Sequence, residues 1–177
     1  MNRKIRIATS WLDGCSGCHM SFLDIDERLL TVLDKFEIVY GPLVDAKQVP
    51  EGIDVALVEG AVSNQDDLEL IQQLRARSSL LISLGDCAVT SNVPAMRNPH
   101  PLGKILERVY IENAQADQQI PANGVPPLLR HARPLHEVVK VDLHIPGCPP
   151  APDLIFHCIA ELLAGRTPNL ETRARFG

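Results

Sequence analysis

The sequence has no run of about 20 consecutive apolar residues, the length that a membrane-spanning helix needs. Its best candidate, Leu80 to Leu84, is far too short. Basic charge is not in excess either: 17 Lys and Arg stand against 22 Asp and Glu, for a net charge of -5, which argues against a nucleic-acid binder held by phosphate contacts. Five cysteines in 177 residues are too sparse for a small secreted disulfide scaffold. Met1 to Arg6 leads straight into a β-like segment, without the apolar core and small-residue cleavage site of a secretory signal and without twin arginines. The expected location is the cytoplasm. There is no internal repeat, low-complexity run or linker, and an apolar fraction of 45% excludes a collagen-like or disordered chain. One domain spanning residues 1–177 is expected at this length.

What is present alternates between strand and helix patterns. Lys4 to Ser10 reads as a first strand running into a turn at Asp13-Gly14. From His19 onward Phe22, Ile25, Leu29 and Leu33 recur at helical spacing, with Leu23 and Leu30 widening the stripe. Phe36–Tyr40 and Asp54–Val58 read as strands, the latter apolar enough to be buried on both faces. Ser63 with Asp66 resembles a capping box opening a helix over Leu68, Ile71 and Leu74. Leu80–Leu84 is the next strand. From Ser91 to Glu137 the pattern lapses, in a segment holding half of the 14 prolines and one short helix around Leu102–Val109. Val138–Ile145 resumes as a strand, and a last helix carries Leu154, Ile155, Ile159, Leu162 and Leu163 before Gly165 in the C-cap role. Right-handed crossovers make this an α/β protein, a doubly wound parallel sheet with helices on both faces and an irregular, Pro-rich insert at about 91–137 before the last strand. The insert has too few periodic apolar residues for a core of its own and is read as an interface.

Four cysteines follow the carboxyl ends of strands: Cys15 and Cys18 after the first, Cys87 after Leu84 and Cys148 after Ile145. In a doubly wound sheet those ends share one edge, where ligands bind, so thiols distant in sequence converge on a metal. One Cys-x2-Cys knuckle with two solitary cysteines departs from the two knuckles usual for structural zinc. An iron-sulfur cluster, with a thiolate at each corner and a proline after one ligand, suits it better. A thioredoxin-like dithiol at Cys15 and Cys18 leaves Cys87 and Cys148 without a role, while a zinc-stabilised interaction protein is the non-redox alternative. Cys158, on the last helix's apolar stripe, reads as a small buried hydrophobe.

The segments Trp11-Leu12-Asp13-Gly14-Cys15-Ser16-Gly17-Cys18-His19-Met20-Ser21, Val58-Glu59-Gly60-Ala61, Gly85-Asp86-Cys87-Ala88 and Pro146-Gly147-Cys148-Pro149-Pro150 together resemble the small subunits of nickel-iron hydrogenases, most of all those of cytoplasmic NAD-reducing, or bidirectional, enzymes. The resemblance implies a flavodoxin-like domain. In it Cys15, Cys18, Cys87 and Cys148 hold one proximal 4Fe-4S cluster facing the NiFe centre of a partner large subunit. It implies a hetero-oligomer in which electrons pass to a diaphorase module with its own iron-sulfur subunits and FMN (H2 + NAD+ to NADH + H+, reversibly). The catalytic centre then lies on another chain. A second FMN on or beside this chain has no signal in the sequence.

Many relatives continue into a domain with further clusters, and a chain ending at Gly177 is expected to house only one. The related subunit of respiratory complex I has adjacent cysteines where Ser16 and Gly17 intervene here. A membrane-associated energy-converting hydrogenase remains the alternative. Glu59, at a buried strand end, has two readings: ordinary strand-end solvation, or a proton relay near the interface. His19 is expected as an exposed first-turn histidine, with a hydrogen bond to a cluster sulfur or a partner as the alternative, and His144 carries the same ambiguity. Trp11, the only tryptophan, is read as packing over the cluster, against a partner or in the core.

Overall fold

The computed structural model describes residues 3–171 and 173–177; Met1 and Asn2, at the head of the N-terminal stretch read above, and Thr172 lie outside the described residues. In chain order the strands are β1 (Ile5–Trp11), β2 (Phe36–Tyr40), β3 (Ile53–Glu59), β4 (Val62–Asn64), β5 (Ser78–Leu84), β6 (Leu128–Arg133) and β7 (Leu143–Ile145). The helices are α1 (Gly17–Leu23), α2 (Gln65–Arg77), α3 (Asp86–Thr90), α4 (Leu102–Glu107) and α5 (Pro152–Leu163). Five strands form a parallel sheet in the order β2-β1-β3-β5-β7. Counting only these five, that is the flavodoxin-like order 2-1-3-4-5. Among the described residues no helix is long and apolar enough to cross a membrane.

The central strand β3 is buried along nearly its whole length, and its alternating side chains serve two cores. Ala56 and Val58 join Ala8, Leu81, Ile71 and Leu74 under α2, whereas Val55 and Leu57 join Phe22, Ile82, Ile145, Ile155 and Ile159 under α1 and α5. Each fully buried Ile or Leu here contributes about 1.5–3 kcal/mol of transfer free energy. Two helical layers on a parallel sheet follow from that pattern.

Several boundaries differ from expectation, each for a local reason. The helix expected through Leu33 stops at Leu23. Asp26 then takes a left-handed conformation (φ 55°), and Asp26–Thr31 continues as a 3-10 turn that leaves Leu30 exposed. The box expected at Ser63 and Asp66 is shifted by one residue. The chain stays extended through β4, and Asn64 accepts from the Asp67 amide while the Asp67 carboxylate accepts from the Asn64 amide. The strand expected over Val138–Ile145 is confined to β7. Ahead of it the Asp142 carboxylate accepts from Leu81 N (2.9 Å) and Arg75 (2.5 Å), and Val138, Val139 and Val141 pack against the α2-side core.

The insert is more ordered than its prolines suggest. β6 within it pairs antiparallel with β4. Arg97 donates to the carbonyls of Ser63, Leu129 and Arg130, and Asn98 bonds Ala132 in both directions. At the other end of the chain Gly165 (φ 73°) closes α5 as expected, donating to Leu162 O while Arg166 N donates to Glu161 O.

Candidate iron-sulfur site

The register of the sheet sets the site. Trp11 pairs with Glu59, Glu59 with Leu84, and Leu84 with Ile145, so one row across four strands marks the carboxyl edge. The cysteines lie just beyond it, Cys87 three residues past Leu84 and Cys148 three past Ile145.

Close backbone contacts then fix the loops. Leu12 N donates to Glu59 O, and Asp13 and Ala61 exchange two hydrogen bonds. Gly60 (φ 87°) makes this contact possible, because a Cβ there would stand 2.7 Å from the Leu12 carbonyl carbon. Ser16, left-handed at φ 63°, turns the chain between Cys15 and α1. Gly85 (φ 83°) leaves room for the Cys18 sulfur, where a Cβ would lie 2.2 Å from it. Its N–H donates to Ile145 O (2.7 Å), Asp86 N donates to Gly147 O (2.9 Å), and Gly147 N returns a bond to the Asp86 carboxylate (2.6 Å). The Cys87 and Cys148 loops are thereby stitched together. Ser21 Oγ donates to Pro150 O (2.5 Å) and ties α1 to the same turn, while the Asn92 amide donates to Cys148 Sγ (3.7 Å).

All four predicted cysteines are free thiols at this edge, Cys15 and Cys148 exposed, Cys18 and Cys87 partly covered. Burial pushes the Cys18 thiol up, and the nearby Glu59, Cys87, Cys15 and Cys148 push in the same direction. Burial likewise raises Cys87 to about 11, with Cys148 and Cys15 adding to it. Cys158 is buried in the core under α5, as expected, its thiol raised by burial to about 11.

His19 corrects an expectation: it is buried, not exposed. Its backbone N–H (2.7 Å) and ring Nδ1 (2.9 Å) both reach Glu59 Oε2, and Glu59 is itself 2% exposed. A carboxylate only accepts, so Nδ1 carries the proton. Glu59 is thus more than a solvated strand end: it caps the backbone immediately after Cys18. Nε2 is buried without a partner among the described residues. Trp11 lies edge-on to this ring at 5.5 Å and is 39% exposed, outside both cores. His144 bonds Ser83 Oγ (2.8 Å) and stacks edge-on with His136, and no contact among the described residues brings it to the cysteines.

A sequence profile for "NADH ubiquinone oxidoreductase, 20 Kd subunit" matches residues 15–162. The chain is 42% identical over 172 residues to the delta subunit of the NAD-reducing hydrogenase HoxS of Cupriavidus necator, covering 94% of this chain and 82% of that one. The chain belongs to the hydrogenase small-subunit family. A solved NAD+-reducing NiFe hydrogenase in the H2-reduced state contains a chain that superposes with this small subunit at a TM-score of 0.95 and 40% identity, over 99% of one and 100% of the other. The vhu hydrogenase of Methanocaldococcus jannaschii has a subunit that is 41% identical over 171 residues, 96% of this small subunit, which spans 59% of that relative's length.

The small subunit's donor set suits a cluster. It is all thiol, which iron-sulfur centres take. Among the described residues no three His, Cys, Asp or Glu side chains are gathered as they would be around a single ion. A cube of iron and sulfide accepts thiolates at separate corners. Asp86 and Ser21 lie within the segments that carry the resemblance, but the sequence reading gave neither a role at the site. Asp86 stands directly before Cys87, one of the four cysteines expected as ligands, which could have drawn attention to it.

Proposed function

We propose that this small subunit holds one proximal 4Fe-4S cluster through Cys15, Cys18, Cys87 and Cys148 and carries electrons between the NiFe centre of a large subunit and a diaphorase module. The observation carrying this reading is the placement of four free thiols just beyond one sheet edge, with the Cys18, Cys87 and Cys148 segments held close by Gly85, Gly147 and Asp86. Bound there, the cluster supplies one-electron transfer. The chain's own residues bind it, shield Cys18 by partial burial, and keep the Cys87 and Cys148 loops at a fixed separation.

NAD+ as the final acceptor is supported by the names of the Cupriavidus necator relative and the solved hydrogenase. The reaction is then H2 + NAD+ to NADH + H+ in the cytoplasm, with FMN on the diaphorase. Glu59 is a candidate proton carrier at the buried edge. The insert, where Leu102, Leu106, Tyr110, Ile120, Val125 and Leu128 line an apolar groove of about 530 Å3, is a candidate interface. The profile match to an NADH ubiquinone oxidoreductase subunit favours a second reading, a membrane-associated or complex I-like module. Co-purifying subunits separate the two, a flavoprotein diaphorase against a membrane anchor.

Iron and acid-labile sulfide in equal amounts in the anaerobically prepared native protein support the cluster. Stoichiometric zinc in its place removes the redox reading altogether.

A further inference from the structure

Asp86 is 4% exposed, and its carboxylate forms no salt bridge among the described residues. Its two oxygens accept from two backbone amides instead, Oδ1 from Gly147 N at 2.6 Å and Oδ2 from Gly177 N at 2.8 Å. Both donors border the same cysteine. Gly147 precedes Cys148, and Gly177 lies against it so closely that a Cβ on Gly177 would stand 2.7 Å from Cys148 Cβ. Asp86 N completes the clasp through Gly147 O (2.9 Å). Although Asp86 opens α3, the hydrogen bonds to its carboxylate among the described residues come from Gly147 and Gly177, outside that helix. An acid committed to two amides of distant segments is unusual for a helix terminus, where local amides are the ordinary partners.

Cys148 needs such help. It is exposed, and no strand or helix contains it: β7 ends three residues earlier and α5 begins four residues later. Cys87, by contrast, lies within α3. We propose that Asp86 is the positioning residue for the Cys148 corner of the cluster, clasping Gly147 and Gly177 around that cysteine and fixing it relative to Cys87. The inference rests on the cluster reading above.

Asp86→Ala in the full chain tests it, with Cys148→Ser as the reference for a lost corner. Provided the far-ultraviolet circular dichroism matches wild type, the oxidised variant is expected to show the electron paramagnetic resonance signal of a three-iron cluster, the same signal expected of Cys148→Ser. Asp86→Asn keeps an acceptor for Gly147 but presents an amide to Gly177. It is expected to restore the four-iron spectrum while releasing iron to a chelator several-fold faster than wild type. A folded Asp86→Ala protein with the wild-type spectrum and wild-type iron release overturns the inference. If Asp86→Ala does not fold, Asp86→Asn decides: release at the wild-type rate overturns the inference, and faster release supports it. Zinc instead of iron in the wild-type chain overturns the cluster reading and the inference with it. An intact wild-type cluster beside an unaltered variant overturns the inference alone.

Discussion

Glu59 Oε2 accepts two hydrogen bonds from His19, one from the backbone N–H at 2.7 Å and one from ring Nδ1 at 2.9 Å, with both side chains buried. The last residue of β3 thereby grips the chain one residue after Cys18. This geometry gives the carboxylate a structural task and places its charge beside Cys18 and Cys87, whose thiols it pushes up.

Glu59→Gln separates those roles. The amide oxygen still accepts from His19 N, so α1 and the cluster spectrum are expected to survive, while the negative charge is gone. Hydrogen-dependent turnover should slow, and the cluster's midpoint potential should move upward. Turnover at the wild-type rate removes Glu59 from any proton path, and an unmoved potential removes its charge from the cluster's environment. His19→Ala deprives a buried carboxylate of a charge-assisted bond worth about 1.5–3 kcal/mol. A lowered melting temperature at matched cluster content is the measure.

Gly85→Ala tests whether close approach builds the site. The added methyl would sit 2.2 Å from the Cys18 sulfur, on a backbone at φ 83° that an L side chain disfavours. Turning the Cys18 sulfur aside would relieve the contact only by taking that thiol out of its present place, and the Gly85 backbone is itself held by its N–H bond to Ile145 O. Iron incorporation is expected to fall severely, while Gly103→Ala, with open space around its Cβ position, leaves it unchanged. Equal iron in both variants would show that the Gly85 contact is immaterial.

How much of this is legible in the sequence follows from which interactions are local. The five parallel strands and the convergence of Cys15, Cys18, Cys87 and Cys148 at one edge come from periodicity and connection rules. Gly165 can be placed because a helix C-terminus announces itself locally. The antiparallel pairing of β4 with β6 cannot, since Val62 and Arg133 are far apart in sequence and the bonds that Arg97 makes to Ser63 O and Leu129 O exist only once the chain has folded. His19 is misread for the same reason: its burial depends on Glu59, 40 residues away. The shortening of the last strand depends on Asp142, whose carboxylate occupies the Leu81 amide.

The shifted helix start carries its own prediction. Asn64, not Ser63, supplies the side-chain oxygen that satisfies Asp67 N at 2.9 Å. Loss of an N-cap acceptor costs about 1 kcal/mol. Asn64→Ala is therefore expected to lower the stability of the chain by about that amount, whereas Asn64→Asp, which keeps an acceptor oxygen, should be close to neutral. Thermal denaturation of the two variants at matched cluster content checks this, and equal melting temperatures would mean that α2 does not depend on the cap.

His144 predicts a mild pH dependence. Burial lowers its pKa from the ordinary 6.5, and the neighbouring His136 lowers it further. A depressed histidine pKa means that the fold favours the neutral ring, which here shares a hydrogen bond with Ser83 Oγ at 2.8 Å. The associated stability is fully present above the unfolded pKa and is lost as pH falls from 6.5 through the lowered folded value. The melting temperature should accordingly fall as the pH is lowered below 6.5. His144→Gln retains a polar partner for Ser83 but cannot take up a proton, so its melting temperature should vary less with pH over the same interval. A variant whose pH profile parallels the wild type would assign the titration to another group.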